Sequence, residues 1–259
     1  MENRFANLEL ELPSCSQVVQ KQALPSSNQG QCLAEASAAF NRAEFESALR
    51  WYGRCLEYGL EQTAAWIGQV QCLLELSRPS EARIWADKAL ERFVDEPVLL
   101  SLKAMALGRL GDPTVALAFS DAAVERDNHH PIIWLARADI LLAKGARTAE
   151  HCFVEAMRSG LGDATVSWLA GRIRRYWGQF AGAAKFFQEA LAVSPDRYAV
   201  WVDLGLCQTL LGLIEPATRA FHQALALNPG YQPAQAGLNS LRTTSAGARI
   251  TGWWRRWTT

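Results

Sequence analysis

Arginines and an aromatic residue recur at helical spacing in the segment RIRRY, which ends at Tyr176. Arg172, Arg175 and Tyr176 lie three and four positions apart, so on a helix they share one face. Guanidinium groups beside an aromatic ring suit an acidic segment or a C-terminal carboxylate that carries an apolar side chain. The alternative is that these arginines pair with nearby acids such as Asp139 and Asp163, since surface ion pairs are common and contribute only about 0–1 kcal/mol.

The four histidines do not form a pattern that indicates catalysis or metal binding. His129 and His130 are adjacent, whereas His151 and His222 are far apart, so the chain has no HxxxH pair with metal-ligand spacing. No GxSxG, GxxxxGKS/T or GxGxxG element occurs. The sequence therefore predicts a protein that is not an enzyme and that needs no cofactor and no metal.

Net charge and cysteine usage further narrow the class of protein. Lys and Arg total 26, as do Asp and Glu, so the balance gives no overall attraction to nucleic acid or to an anionic membrane. The cysteines are scattered without a CxxC pair, and five of them fall inside the predicted helices, which favours small buried thiols in a reducing compartment over a disulfide framework. The first residues lack the pattern of a secretory leader, and no run of about 18 apolar residues indicates a membrane span. These features together predict a cytoplasmic location. The six cysteines are Cys15, Cys32, Cys55, Cys72, Cys152 and Cys207.

Residues 1–28 are predicted to form a flexible N-terminal arm. Acidic and apolar residues alternate from Leu8 to Leu12, and prolines, serines and an asparagine then interrupt any periodicity. Two interpretations stay open for this arm. It is either a disordered tether or a short docking motif built on Phe5, Leu8 and Leu10.

Residues 243–259 form a tail in which tryptophans and arginines are concentrated. Packing of the tail onto its own array is the first interpretation, because a short basic stretch alone binds membranes marginally. Peripheral contact with a membrane or a partner is the second, since indole rings prefer the bilayer interface and arginines prefer anionic head groups. Stacking on single-stranded nucleic acid ranks last. The predicted contact residues are Trp253, Trp254, Arg255, Arg256 and Trp257.

The stretch from Tyr198 to Tyr231 carries the strongest internal pattern. Apolar residues recur every three or four positions on both sides of Gly212, which predicts two amphipathic helices joined by a tight turn. One such hairpin cannot bury its own apolar face and needs copies on either side. Small and large residues fall at set offsets of a 34-residue unit, namely Trp201, Leu204, Gly205, Gly212, Ala217, Phe221, Ala224 and Pro229. In this pattern the stretch resembles a tetratricopeptide repeat.

Steps of the same length extend the resemblance over residues 29–242. The predicted repeats are 29–62, 63–96, 97–130, 131–163, 164–197 and 198–231, the fourth being one residue short. Residues 232–242 are predicted to form a capping helix with Ala234, Leu238 and Leu241 on one face. The resemblance implies an all-α fold, a right-handed α-solenoid of about six helix hairpins with a concave inner surface.

In the family that this sequence resembles, the first helix of each hairpin lines the concave groove. The chaperone-tail clamp of some members needs Lys and Asn where this chain has Leu33, Ser37, Ile67 and Gln71, so that ligand is not implied. The offset-4 tryptophans Trp66, Trp134 and Trp201 are predicted to be core residues. Carried over position by position, the resemblance implies a peptide-binding groove that contains Gln71, Glu75, Arg109, Asp139, Trp168, Arg172, Arg175, Tyr176 and Leu206.

Two functions from different classes remain. The first is a non-catalytic adaptor whose groove binds an extended or helical segment of an unidentified partner protein. The second is an accessory factor for assembly or secretion that is anchored peripherally to a membrane surface by its Trp/Arg tail. RNA binding ranks below both because the array has no continuous basic stripe.

Overall fold

Helices make up the whole of the described fold. The computed structural model describes residues 26–59 and 61–241, and within these ranges it contains no strand. The helices are α1 (Ser26–Asn41), α2 (Phe45–Tyr58), α3 (Thr63–Glu75), α4 (Pro79–Leu90), α5 (Pro97–Arg109), α6 (Pro113–Arg126), α7 (Pro131–Ala143), α8 (Ala149–Ser159), α9 (Ala164–Tyr176), α10 (Phe180–Val193), α11 (Tyr198–Leu210) and α12 (Ile214–Leu227). A last helix, α13, spans 232–241. The predicted all-α solenoid of helix hairpins is confirmed.

Consecutive helices pair into hairpins, and each hairpin packs on the next. The odd-numbered helices from α1 to α11 also contact one another, so they form the inner side of the array. One continuous core follows this stack from Cys32 to Ala220. None of the helices within residues 26–59 and 61–241 is both long and apolar enough to cross a bilayer.

The turns within the hairpins share one geometry. After the first helix of each pair, one residue adopts a left-handed conformation, with φ of 75° at Gly212 and 57° at Ser77. The N–H of Gly212 donates to the Thr209 carbonyl at 3.0 Å, and the next N–H donates to the Gln208 carbonyl at 2.8 Å. This is the Schellman pattern, which satisfies the last carbonyls of a helix and favours glycine. The residues in the left-handed position are Ala43, Ser77, Gly111, Gly145, Gly178 and Gly212.

The last helix covers the apolar end of the array. Phe221 of α12 packs between Gly205 and Gly237, where an added Cβ would lie 2.8 Å and 2.5 Å from the ring. Leu241 is also buried in this small cluster. Glycine is needed at both contacts because no side chain fits beside the ring.

The expected tryptophan core is only partly present. Trp66 is buried, whereas Trp134 and Trp201 are only partly buried against the core. Their indole N–H groups each donate to a loop carbonyl at 2.8 Å, that of Asn128 and that of Pro195 respectively. Both tryptophans therefore pack at the margin of the core, because each indole N–H reaches the loop between hairpins.

The first hairpin also contacts the fifth, at a position that we call the seam. Phe45 stacks on Trp168 with ring centroids 6.0 Å apart and an interplanar angle of 12°. Phe40 meets the same indole edge-on at 5.9 Å. At one end of the seam, Arg197 donates to the Asn41 carbonyl at 3.4 Å. The seam joins residues more than 100 positions apart, so the inner side is closed across its middle.

Candidate functional site

The middle of the inner side is filled by protein side chains. Trp168 is 0% exposed between Phe40 and Phe45. Its indole Nε1 donates to Asp203 Oδ2 at 2.8 Å, so its one polar group is also satisfied within the fold. Sequence reasoning placed Trp168 in an open groove. The structure places it in the interior, because the first hairpin covers it.

Arg172 lies directly beside this tryptophan. Its side chain is 9% exposed and forms ion pairs with Glu75 and with Asp203, the latter at 3.0 Å. The guanidinium also lies over the Phe45 ring, 4.6 Å from its centroid. Burial acts to lower the pKa of Arg172, but the charges of Glu75 and Asp203 outweigh it and raise the pKa above its ordinary value. The cation is therefore permanent, and this network joins α3, α9 and α11.

A second buried ion pair joins Arg109 of α5 to Asp139 of α7. Arg109 Nη2 lies 3.1 Å from Asp139 Oδ1, and the two side chains are 3% and 0% exposed. Arg109 also donates to the Leu74 carbonyl at 2.8 Å, and Trp177 Nε1 donates to Asp139 at 3.0 Å. Burial raises the pKa of Asp139, while the charge and hydrogen bonds of Arg109 oppose that change. The alternative raised from the sequence, in which the arginines pair with nearby acids, therefore holds for Arg109 and Asp139.

Asp163, the second acid considered as a partner, has a different role. Its Oδ1 accepts a hydrogen bond from the Thr165 backbone N–H at 2.7 Å and so caps the start of α9. An N-cap carboxylate satisfies an amide that the helix cannot satisfy itself. The expectation that Asp163 pairs with the arginines of α9 is wrong, because those arginines lie toward the opposite end of that helix.

The open part of the predicted site is a cleft at the C-terminal ends of α3, α5 and α9, which we call the C-terminal cleft. Arg175 and Tyr176 form its outer edge, with the arginine side chain 30% exposed and the tyrosine 41% exposed. Arg175 reaches Asp203 only at 3.5 Å, and its Nε has no hydrogen-bond partner among the described residues. The cleft encloses about 120 Å³ and is lined by Leu74, Glu75, Ser77, Arg109, Arg172, Arg175 and Tyr176.

The remaining predicted groove residues lie elsewhere. Gln71 lines a small inner void of about 30 Å³ beside Phe40, next to the seam. Leu206 packs against the cluster around Phe221 and does not line the C-terminal cleft. The tail residues Trp253, Trp254, Arg255, Arg256 and Trp257 and the arm residues 1–25 lie outside the described part of the chain.

Sequence reasoning missed Asp203, which joins Arg172, Arg175 and Trp168 from α11. A signal for it was present in the sequence. Asp203 interrupts the apolar run YAVWVDLGLC, and a carboxylate so placed on a packed helix must be paired when it is buried. Phe40 and Phe45 gave no such signal, since aromatic residues occur throughout the array.

The chemistry of the described side chains does not suggest a reaction centre. No three His, Cys, Asp or Glu side chains converge as a metal site within residues 26–59 and 61–241. The five cysteines in the described ranges are free and buried, as predicted for structural thiols. Burial raises the pKa of Cys55 to about 11 and that of Cys207 to about 12, so both thiols are protonated at neutral pH.

The fold and its turns define an array of stacked helix hairpins, and comparison with known families gives the array its class. A model described as tetratricopeptide repeat matches residues 178–238, and a second model with the same description matches 33–97 and 102–150. The chain belongs to the tetratricopeptide repeat family. Comparison with curated protein sequences gave no match.

Comparison with solved structures gave several matches. A tetratricopeptide repeat protein from Parabacteroides merdae is 14% identical over 86% of this chain and 88% of its own, with a TM-score of 0.52. MamA from Desulfovibrio magneticus RS-1 is 19% identical over 66% of this chain and 97% of its own, with a TM-score of 0.42. In the Cut9–Hcn1 hetero-tetramer of the APC/C, the match has 16% identity and a TM-score of 0.49, and it covers 82% of this chain but 42% of that one. Of these, only the Parabacteroides merdae structure has a TM-score above 0.5, and at 14% identity that likeness shows the fold alone.

Proposed function

We propose that this protein is a non-catalytic adaptor that binds an extended or helical segment of a partner protein at the C-terminal cleft. Tetratricopeptide repeats indicate a protein interaction scaffold in general, and proteins of this family are generally not enzymes. The observation that supports this proposal most is the partly exposed Arg175 beside the exposed Tyr176, next to a cluster of buried charges.

The middle of the inner side is a poor place for a ligand. A segment that entered there would have to separate Phe45 from Trp168 and uncover the Arg172 network. Leaving one member of a buried ion pair without its partner costs about 3–5 kcal/mol. A bound segment would have to offset that cost before it gained any affinity. The cleft avoids the cost because Arg175 is already partly exposed and Tyr176 is exposed, so neither has to be uncovered.

The cleft favours a segment that carries a carboxylate and an apolar group. The negative charges of three carboxylates already neutralise the arginines around the cleft. An additional anion is therefore attracted only to the arginine with the weakest ion pair. That arginine is Arg175, whose contact with Asp203 is 3.5 Å long. A carboxylate of the ligand would compete with Asp203 for this guanidinium and could form the shorter, charge-assisted bonds that Asp203 does not. The Tyr176 ring offers the apolar contact.

Site-specific photo-crosslinking tests this proposal. A photoreactive phenylalanine analogue at Tyr176 should capture a partner protein from the native source, whereas the same group at Val154 should not. Val154 is a matched control because it is 61% exposed on α8, an outer helix. Capture at 176 should also weaken when Arg175 is changed to Glu, and should persist when Arg158, an exposed arginine of α8, is changed to Glu. Equal capture at both positions, or capture that ignores Arg175→Glu, would show that the cleft is not the binding site.

A further inference from the structure

A second cleft lies at the opposite end of the same helices, and we call it the N-terminal cleft. It encloses about 500 Å³ between the end of α1 and the starts of α9 and α11. Thr165 and Arg175 mark the two ends of α9, and their ten-residue separation corresponds to about 15 Å along a helix. The two clefts are therefore separate. The lining of this one includes Asn41, Arg42, Asp163, Val193, Asp196 and Arg197.

Arg197 is the unusual residue of this cleft. It is half-buried, yet no carboxylate of the described residues forms an ion pair with it. Its guanidinium has only long hydrogen bonds to neutral oxygens, 3.3 Å to Thr165 Oγ1 and 3.4 Å and 3.5 Å to Asn41. It also lies 4.7 Å from the centroid of the Trp168 ring. The buried arginines of the inner side differ from it, since Arg109 and Arg172 each have a carboxylate.

The electrostatic surroundings of Arg197 also indicate a cation without a close carboxylate. Burial lowers the pKa of Arg197, and the charges of Asp163, Asp196 and Asp203 only partly oppose that change. Asp163 is engaged in capping α9, and Asp196 is exposed at the rim of the cleft. Arg42, a second guanidinium at the rim, is held by Glu44 at 3.1 Å. The cleft therefore retains a cation that an incoming carboxylate would stabilise.

The chain itself carries an acidic segment that suits this cleft. In LELEL, from Leu8 to Leu12, Glu9 and Glu11 alternate with leucines, so an extended strand would direct the carboxylates to one side and the leucines to the other. Val193, which is largely exposed at the cleft, offers an apolar surface for a leucine.

The segment is close enough to reach the cleft. The distance along α1 from its start at Ser26 to Asn41 is about 23 Å at 1.5 Å per residue. The residues between Leu12 and Ser26 can span up to about 46 Å when extended. Because the segment is tethered to α1, its effective concentration at the cleft is on the order of millimolar, which lets a weak contact persist.

We propose that the N-terminal cleft binds the chain's own acidic segment Leu8–Leu12 in cis, with a glutamate carboxylate on Arg197. The segment then crosses from the first hairpin to the start of α11 and braces the seam from outside. This docking does not depend on the C-terminal cleft or on a partner protein.

Crosslinking within the full-length chain, without any partner, tests this inference. A photoreactive phenylalanine analogue replaces Leu10, and mass spectrometry of the digested product locates the attachment. Attachment should fall on residues 193–199 or on Asn41 and Arg42, in monomeric protein and independently of concentration. Arg197→Met should reduce that product several-fold, whereas Arg219→Met, at an exposed arginine of α12 outside the cleft, should leave it unchanged.

The double variant Glu9→Gln, Glu11→Gln controls for the possibility that Arg197→Met disturbs the fold, because it changes only the acidic segment. It should reduce the product as strongly as Arg197→Met does. Three results would each overturn the proposal. They are attachment at Arg175 and Tyr176, attachment only between two copies of the chain, and a product that neither variant changes.

Discussion

The left-handed residue in each hairpin turn allows a stability prediction with a defined sign. Ser77 has a φ of 57° and Gly212 has a φ of 75° at the same position of the same hydrogen-bonded motif. Serine adopts this conformation at a cost of about 1–2 kcal/mol, and glycine adopts it without that cost. Ser77→Gly should therefore stabilise the protein, and Gly212→Ala should destabilise it.

The magnitude follows from two opposing effects. Glycine removes the strain of about 1–2 kcal/mol, but its freer unfolded chain costs roughly 0.5–1 kcal/mol on folding. The difference is a gain of about 0.5–1 kcal/mol for Ser77→Gly and a similar loss for Gly212→Ala. No packing change enters either value, because Ser77 is exposed and no atom lies within 4 Å of a Cβ added at Gly212. Ala43→Gly should stabilise less, since Ala43 packs against the core.

A glycine in a helix provides the matched control. Gly53 lies within α2, and a Cβ added there meets nothing within 4 Å. Gly53→Ala should stabilise the protein by about 1 kcal/mol, because alanine is the better helix former. The same chemical change therefore has opposite signs at residues 53 and 212, and the sign depends only on φ.

Urea unfolding, followed by circular dichroism and by tryptophan fluorescence, measures all four variants against the parent chain. Coincident transitions by both probes are needed before the free energies are compared. The reasoning is refuted if Ser77→Gly lowers the midpoint, or if Gly212→Ala raises it as Gly53→Ala does.

Four further outcomes are expected. Glu75→Gln leaves Arg172 with one carboxylate in a buried site, so the free energy of unfolding should fall by up to about 3–5 kcal/mol in the same urea experiment, and a fall under about 0.5 kcal/mol would contradict the buried network. In a Cys15→Ser variant, a thiol reagent at pH 8 should label the native protein only as fast as it unfolds, because burial raises the pKa of Cys55 to about 11 and keeps it protonated. Raising the pH toward that pKa should destabilise the fold, since the thiolate is favoured in the unfolded chain. Deletion of residues 246–259 should reduce co-sedimentation with anionic vesicles if the Trp/Arg tail is a membrane anchor, and an unchanged bound fraction removes that interpretation.

Much of the fold could be predicted because the helices and turns are determined by the sequence within one repeat. Apolar spacing on both sides of Gly212 indicates two helices, and glycine at that point indicates the left-handed turn. Ser77 and Ala43 occupy the same turn position without a glycine, so the turn is set by the whole motif and its hydrogen bonds, with glycine only the preferred residue.

The closure of the inner side could not be predicted in the same way. Curvature of a repeat array accumulates from a small rotation at every junction, so no single repeat reveals that the first hairpin reaches the fifth. The assignment of Trp168 to a groove position assumed an open groove. Its burial under Phe40 and Phe45 depends on a rotation summed over four junctions, which the local pattern of α9 does not contain.

The buried ion pairs show how that curvature is specified. Glu75, Arg172 and Asp203 come from the second, fifth and sixth hairpins, so their network links repeats that a simple stack would leave independent. Such a network adds little net stability over an apolar core of the same volume, but breaking it by separating its members is costly. An array of altered curvature would strand Arg172 without Glu75 in a site that solvent barely reaches. The ion pairs therefore disfavour other curvatures of the array more than they add to the stability of this one.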